Sequence, residues 1–303
     1  MHPEGVESSG AWTTPPPATL PAALRPFLAR VAGYAADGLV PGVHRGLPGR
    51  ALTLVLAVDA PLGVASSAAD WAAGRVQSQH VTLGGLHTEP AFVVQPGRWS
   101  GIQLDVHPLG ARRLFGLPAS ALSTTSFDAR EVLGPEVDAV HERLVAAPSW
   151  ALRYRVVLDW LLGRLVASQP GHVRPEVVRT WRLLAQGGGR LTVQELSEQV
   201  GLGPRRLAQV FRAEVGVTPK VAARLIRFDL ARHDLARHDR AAAGWRAGSL
   251  DLSGVAIRHG YYDHAHLARE FAAFTGLSPT AWLAAEIGNV QAARAPAAAS
   301  SSP

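Results

Sequence analysis

Between Pro204 and Val215 the chain carries Arg205, Arg206, Gln209 and Arg212 beside an apolar set of Leu207, Val210 and Phe211. If this stretch is a helix, the apolar set makes its buried stripe. The positions left outside are Arg205, Arg206, Ala208, Gln209 and Arg212. Arginine and glutamine can form paired hydrogen bonds to base edges, and alanine permits close approach or contact with a thymine methyl. Arginines flanking such a helix also bind phosphates. A second stretch, His264 to Thr275, sets His264, Ala265, His266, Ala268 and Arg269 against Leu267, Phe271 and Phe274. It offers fewer strong readers, so the first stretch is expected to discriminate more between sequences.

The elements needed to present these side chains are spelled out twice. One copy is LTVQELSEQVGLGPRRLAQVFRAEVGVTP, from Leu191 to Pro219, and the other is LDLSGVAIRHGYYDHAHLAREFAAFTGLSP, from Leu250 to Pro279. Each reads as a helix, a short glycine turn and a second helix, the arrangement that places one helix in the major groove. Thr192 and Glu195 have capping-box spacing, and Gly201 suits a left-handed helix end. Pro204 suits a first helical position. Asp251 and Asp263 are the corresponding caps of the second copy, and Gly260 turns the chain. Thr218-Pro219 and Ser278-Pro279 each start a further helix. The less favourable residues are Gly203, a poor cap, and Gly254, which costs about 1 kcal/mol inside a helix.

This duplicated pattern resembles the DNA-binding domain of the AraC/XylS family of transcription regulators. GYYDHAHLAREFAAFTGLSPTAW, Gly260 to Trp282, is similar to that family's C-terminal signature, and the likeness spans about Val178 to Ala285. The resemblance implies a long helix, Pro219 to about Asp234, that sets two recognition helices into successive major grooves. Those helices would be residues 204–215 and 264–275. It implies base reading by Arg205, Ala208 and Gln209 in the first unit and by His264, Ala265 and Arg269 in the second. Arg206 and Arg212 would lean toward the backbone. The stretch Arg237 to Ser249 is longer and richer in glycine than the family's usual connection.

The expected fold class is α+β: a mixed N-terminal domain, residues 21–170, followed by an all-helical double helix-turn-helix domain, residues 175–287. A flexible leader, 1–20, and a disordered tail, 288–303, complete the division, with a linker at Gln169-Pro170-Gly171-His172. Ala51–Val58, Ala91–Val94 and Gly101–Val106 read as strands. Pro135–Ala146 and Trp150–Val166 read as helices, the second with an apolar face of Leu152, Val156, Trp160 and Leu161. Gly110–Gly116 reads as a turn and a short helix. The segment Gln103–Leu122 resembles N-terminal domains of actinobacterial members of the family, and Trp71, Phe92, Trp99 and Phe115 are candidates to line an apolar effector pocket.

Charge agrees with a polyanionic partner. The formal net charge is +6, and residues 175–290 hold 14 arginines and Lys220 against 11 acidic residues, whereas residues 1–174 are nearly balanced. With 47% apolar and 18% charged residues the composition is that of an ordinary globular protein. No stretch reaches the ~20 apolar residues of a membrane span. The absence of cysteine excludes disulfides, thiolate metal sites and cysteine nucleophiles, the alkyl-accepting cysteine of a DNA-repair methyltransferase included. No nucleophile elbow, phosphate loop or dinucleotide fingerprint is present. His264 with His266, and His233 with His238, have spacings that point to different sides of a helix, so no metal site is expected.

The sequence therefore predicts a cytoplasmic, nucleoid-associated transcription regulator with no catalytic residues, metal or cofactor. Its expected partners are double-stranded promoter DNA, a small-molecule effector in the N-terminal domain, RNA polymerase and a second copy of the chain. The competing reading is a small-molecule-binding or scaffold protein with a non-functional helix-turn-helix domain.

Overall fold

The computed structural model describes residues 11–13, 15, 18–122, 127–168, 171–241 and 251–284. Most of the leader, Gln169-Pro170 of the linker, residues 242–249 of the connection and the tail lie outside the described residues.

The N-terminal part is built on two antiparallel sheets. The larger has the order β1-β2-β9-β4-β7-β10, formed by β1 (Ala11–Thr13), β2 (Leu28–Asp37), β9 (Trp99–Val106), β4 (Leu52–Ala57), β7 (Val81–Gly84) and β10 (Phe127–Asp128). The smaller has the order β3-β8-β5-β6, formed by β3 (Gly42–Gly46), β8 (Ala91–Gln95), β5 (Leu62–Ala65) and β6 (Gln77–Gln79). The register Leu54↔Leu104 and Leu56↔Ile102 sets β4 against β9.

Alternation along these strands separates two cores, because successive side chains leave a strand on opposite faces. Leu52, Leu54 and Leu56 of β4 join Ile102, Leu104 and Val106 of β9 on one face of the larger sheet. Val55 and Trp99 point the other way, meeting Leu62, Val64, Ala91 and Val93 of the smaller sheet. The larger sheet is thus covered on both faces, which is why ALTLVLAV reads as a continuous apolar run. The helical side is covered by α2 (Ala111–Phe115), α3 (Ala129–Leu133), α4 (Glu136–Ala146) and α5 (Trp150–Ala167), while α1 (Ala68–Ala72) lies by β5 and β8.

Two local expectations are corrected here. The buried stripe of α5 is Tyr154, Val157, Leu158, Leu161 and Leu165, whereas Leu152 is exposed and Val156 and Trp160 are only half-buried. The helix is apolar on most sides, so its periodicity cannot select the inner face; tertiary contacts do. The four candidate pocket aromatics do not converge either. Phe115 belongs to the helix-side core, Trp99 packs edge-on against Tyr34 between the sheets, and Trp71 stacks on Phe92.

The C-terminal part is helical: α6 (Pro175–Gln186), α7 (Val193–Val200), α8 (Pro204–Val215), α9 (Pro219–Ala241), α10 (Leu252–Arg258), α11 (His264–Thr275) and a last helical stretch at 279–284. The whole molecule is therefore α+β, and no helix among the described residues is long and apolar enough to cross a membrane. The joining helix α9 runs past Asp234 to Ala241, so residues 237–241 of the expected connection are helical.

Packing does not stop between the two parts. Trp181, Leu184, Leu196, Leu207, Phe211 and Ile226 belong to the same core as the helix-covered face of the larger sheet. The second helical unit has a separate core, made of Phe228, Leu235, Val255, Tyr261, Leu267, Phe271, Phe274 and Trp282 with their neighbours. Helix α9 serves both, presenting Ala222, Ala223 and Ile226 to the first and Leu225, Phe228, Ala231 and Leu235 to the second.

One half-buried histidine makes this packing sensitive to acid. His107 lies edge-on to Trp181 with ring centroids 5.2 Å apart, and its Nδ1 accepts the Leu109 backbone N–H at 3.2 Å. Burial, with the nearby Arg50 charge, pushes its pKa down from 6.5 to about 4. The folded chain therefore holds this ring neutral where an unfolded chain would protonate it. The stabilisation is present above pH 6.5 and is lost as pH falls toward 4, by about 2 kcal/mol between pH 7 and 5. Thermal unfolding of wild type should show this acid drop, and His107→Gln should show a smaller one. Identical profiles would mean that another group titrates.

Candidate nucleic-acid interface

Helices α7 and α8 form the first helix-turn-helix. Thr192 accepts the Glu195 backbone N–H at 3.2 Å, and the Glu195 carboxylate accepts the Thr192 N–H at 2.7 Å. Together they satisfy two of the donors that a helix start leaves open. Gly201 ends α7 in the left-handed conformation (φ 77°), and α8 begins at Pro204 without a side-chain cap on Gly203. Leu207, Val210, Phe211 and Val215 of α8 are buried, with Phe211 stacked on Trp181 of α6.

That burial turns the remaining face outward. Arg205, Arg206, Gln209 and Arg212 are exposed, and Ala208 is half-buried among them. Arg206 Nη1 donates to Gln209 Oε1 at 2.7 Å, joining an expected phosphate contact to an expected base reader. This bond restricts the Gln209 amide, which keeps its two N–H donors to offer.

The second unit repeats the plan. Asp251 accepts the Gly254 N–H at 2.7 Å, and Asp263 accepts the His266 N–H at 2.7 Å. Gly254 is the third residue of α10, and a Cβ there would run into the Asp251 carboxylate. The glycine makes room for the cap, so the mid-helix cost expected from sequence does not apply at this position. Arg224 of α9 pairs with Glu270 of α11 at 2.9 Å and lies 5.1 Å from the centroid of the Phe274 ring. These contacts hold α11 against the joining helix.

On α11, His264 and Arg269 are exposed, while Ala265, His266 and Ala268 are half-buried. His266 is turned back on its own turn: Nδ1 accepts the Tyr262 N–H at 3.3 Å, and the ring packs edge-on against Tyr261. Its first task here is to shape the turn. The same turn carries Tyr262, 90% exposed at the entrance to α11, a residue that sequence reading passed over. The doubled tyrosine after Gly260 was the available signal: one ring is buried as Tyr261 and the other is left outside.

Three further contacts found only in the structure tie the helical part to the N-terminal part. Arg112 of α2 donates from Nε and Nη2 to the two carboxylate oxygens of Glu214 of α8, at 2.7 and 2.9 Å. Ser120 Oγ donates to the Ala213 carbonyl at 2.6 Å. On α9, the buried Asp229 takes Arg50 from the N-terminal part at 3.1 Å and Arg232 at 2.8 Å. Burial pushes the Asp229 pKa up, but His233, Arg232 and the hydrogen bonds they make outweigh it and hold it at about 2.

Residues 196–285 match the family model described as a helix-turn-helix domain. No curated protein matches the chain. Among solved structures, ToxT from Vibrio cholerae O395 superposes with a TM-score of 0.48 at 8% identity, over 84% of this chain and 96% of that one. The C-terminal domain of AraT, a response regulator from Geobacillus stearothermophilus, gives 0.30 at 18% identity, over 44% of this chain and 95% of that one. The AraC-like transcriptional activator CuxR gives 0.27 at 14% identity, over 70% and 76%.

Proposed function

We propose that this chain, whose C-terminal domain is an AraC-type double helix-turn-helix domain, is a sequence-specific DNA-binding transcription regulator that acts by binding and not by catalysis. The observation that carries the reading is the outward face of α8, where Arg205, Arg206, Gln209 and Arg212 stand together on a helix presented by a capped helix and a glycine turn. A helix of this kind enters the major groove by its N-terminal residues, so Arg205 and Gln209 are assigned to base edges. Arg206 and Arg212 are assigned to phosphates. The second unit adds His264 and Arg269, with Ala265 allowing close approach.

The N-terminal part is assigned the regulatory role. Its α2 holds α8 directly through Arg112 and Glu214, so a change of conformation there reaches the first recognition helix without an intermediary. Regulation at a promoter calls in addition for contact with RNA polymerase. A second copy of the chain would lengthen the DNA site.

The test is a binding titration on duplexes from the region upstream of the protein's own gene, repeated as salt is raised from about 50 to 200 mM. Phosphate contacts make the affinity fall steeply over that range. Arg205→Ala should weaken binding by roughly 1–3 kcal/mol and relax preference at one base pair. Affinity flat in salt would favour a scaffold with a non-functional helix-turn-helix. An Arg205→Ala protein with unchanged preference would remove that residue from the reading set.

A further inference from the structure

Two reading helices help only if the distance and angle between them match successive grooves of the duplex. The first unit shares its core with the N-terminal part and the second has its own, and both are built on α9. Beside α9 the units face each other across a cleft of about 540 Å³, lined by Gln186, Gly188, Arg190, Leu230, Arg258 and His259. What crosses that cleft is polar.

From the first unit, the glycine turn after α6 is pressed onto α9: Gly189 has φ 72°, and a Cβ there would strike the Ala223 carbonyl. Its own carbonyl accepts from Arg227 Nη1 at 2.7 Å. The next residue, Arg190, donates to the backbone carbonyl of Arg258, in the last turn of α10. From the second unit, the Arg258 guanidinium reaches Asp234 of α9 at 3.2 Å, and His259 Nε2 lies 2.9 Å from the same carboxylate. Gly260 then turns the chain (φ 74°) so closely over Arg190 and Arg227 that a Cβ would come within 2.9 Å of Arg190 Cγ. The Arg227 guanidinium sits 5.7 Å from the centroid of the buried Tyr261 ring.

We propose that Arg190, with Asp234 of α9, is a positioning residue that fixes the phase between α8 and α11 and so sets the half-site spacing the protein accepts. This rests on the DNA-binding reading above. The reasoning is mechanical. One added base pair moves a half-site by about 3.4 Å and turns it by about 34° around the duplex. A reader locked at both ends cannot follow without distorting itself or the DNA. Arg190 joins the first unit to the second directly, and Asp234 holds the end of α10 to the joining helix. Neither residue belongs to the outward faces that read DNA.

The test uses the full chain and an operator selected from a random duplex library, rebuilt with one base pair added or removed between the half-sites. Wild type should lose about tenfold or more in affinity on either change, the size of a single mismatched base pair. Arg190→Ala should bind the best operator a few-fold more weakly, yet lose less than about threefold when the spacing changes. Arg190→Lys, which keeps a donor for the Arg258 carbonyl, should recover much of the wild-type penalty. Asp234→Asn weakens the hold of α9 on Arg258 and His259 and should also relax the spacing, which keeps the proposal testable should the alanine variant fold poorly. Equal weakening by Arg190→Ala at every spacing would show a general structural role and overturn the proposal while leaving the DNA-binding reading intact. Wild-type protein that binds no duplex in a salt-dependent way would overturn both.

Discussion

Phe228→Ala is expected to unfold the second helix-turn-helix while leaving the first in place. Phe228 of α9 is fully buried, with its ring centroid 5.0 Å from that of Phe271 and 4.8 Å from that of Phe274. Truncation removes the ring that the two α11 phenylalanines pack on and leaves a cavity, a change worth about 3–5 kcal/mol in a core. The second core is small, and whole domains are stable by only about 5–15 kcal/mol, so a loss of this size consumes most of what one unit can hold. The first unit draws on a different core and should survive. Hydrogen exchange should show lost protection in residues 252–284 and retained protection in α7, α8 and the larger sheet. A single cooperative transition, shifted equally everywhere, would show that the two units do not unfold separately. DNA affinity should fall toward that of one unit, because Arg224–Glu270 and the α11 face go with the core.

The second large effect is expected at the joint between the two parts. Arg112→Ala leaves Glu214, whose side chain is only 10% exposed, without the guanidinium that binds both of its oxygens. Removing one partner of a buried pair costs about 3–5 kcal/mol, and about 2–3 kcal/mol is expected here because the Arg112 side chain is itself 28% exposed. Replacing both partners by apolar residues of similar size removes the stranded charge, so Arg112→Met with Glu214→Leu should be closer to wild type than Arg112→Ala alone. Thermal unfolding of the single and double variants checks this. A double variant as unstable as the single one would show that the stranded Glu214 carboxylate does not set the cost. The same variants report on regulation: if the N-terminal part acts on α8 through this pair, Arg112→Ala should change DNA affinity even where the fold persists.

Much of the DNA-binding domain was legible because its signals are local. The cap of α7 at Thr192 with Glu195, the left-handed Gly201, and the caps at Asp251 and Asp263 all involve partners three or four residues apart. The buried stripe of α8 could be read from its spacing for the same reason. Where apolar residues spread over most sides of a helix, as in α5, spacing alone does not pick out the inner face. The longest strand, β2, was missed because LARVAGYAAD is rich in alanine and glycine, residues with little preference for a strand. It is a strand because β9 pairs along its length, and Gly33 is needed there because Trp150 and Tyr154 pack over it.

The chain's sequence by itself thus determined the repeat, its turns and caps, and the identity of the side chains left on the outer face of α8. Each depends on hydrogen bonds and packing within one or two turns of the backbone. Only the tertiary structure decided how those pieces share their cores, that Arg112 meets Glu214 across 102 residues, and that Arg190 meets Arg258 across 68. It also decided that Gly254 serves its cap, that His266 shapes a turn, and that Tyr262 is left outside. Such contacts join residues far apart in the chain, where spacing carries no periodic signal and only the closing of the fold brings the partners together.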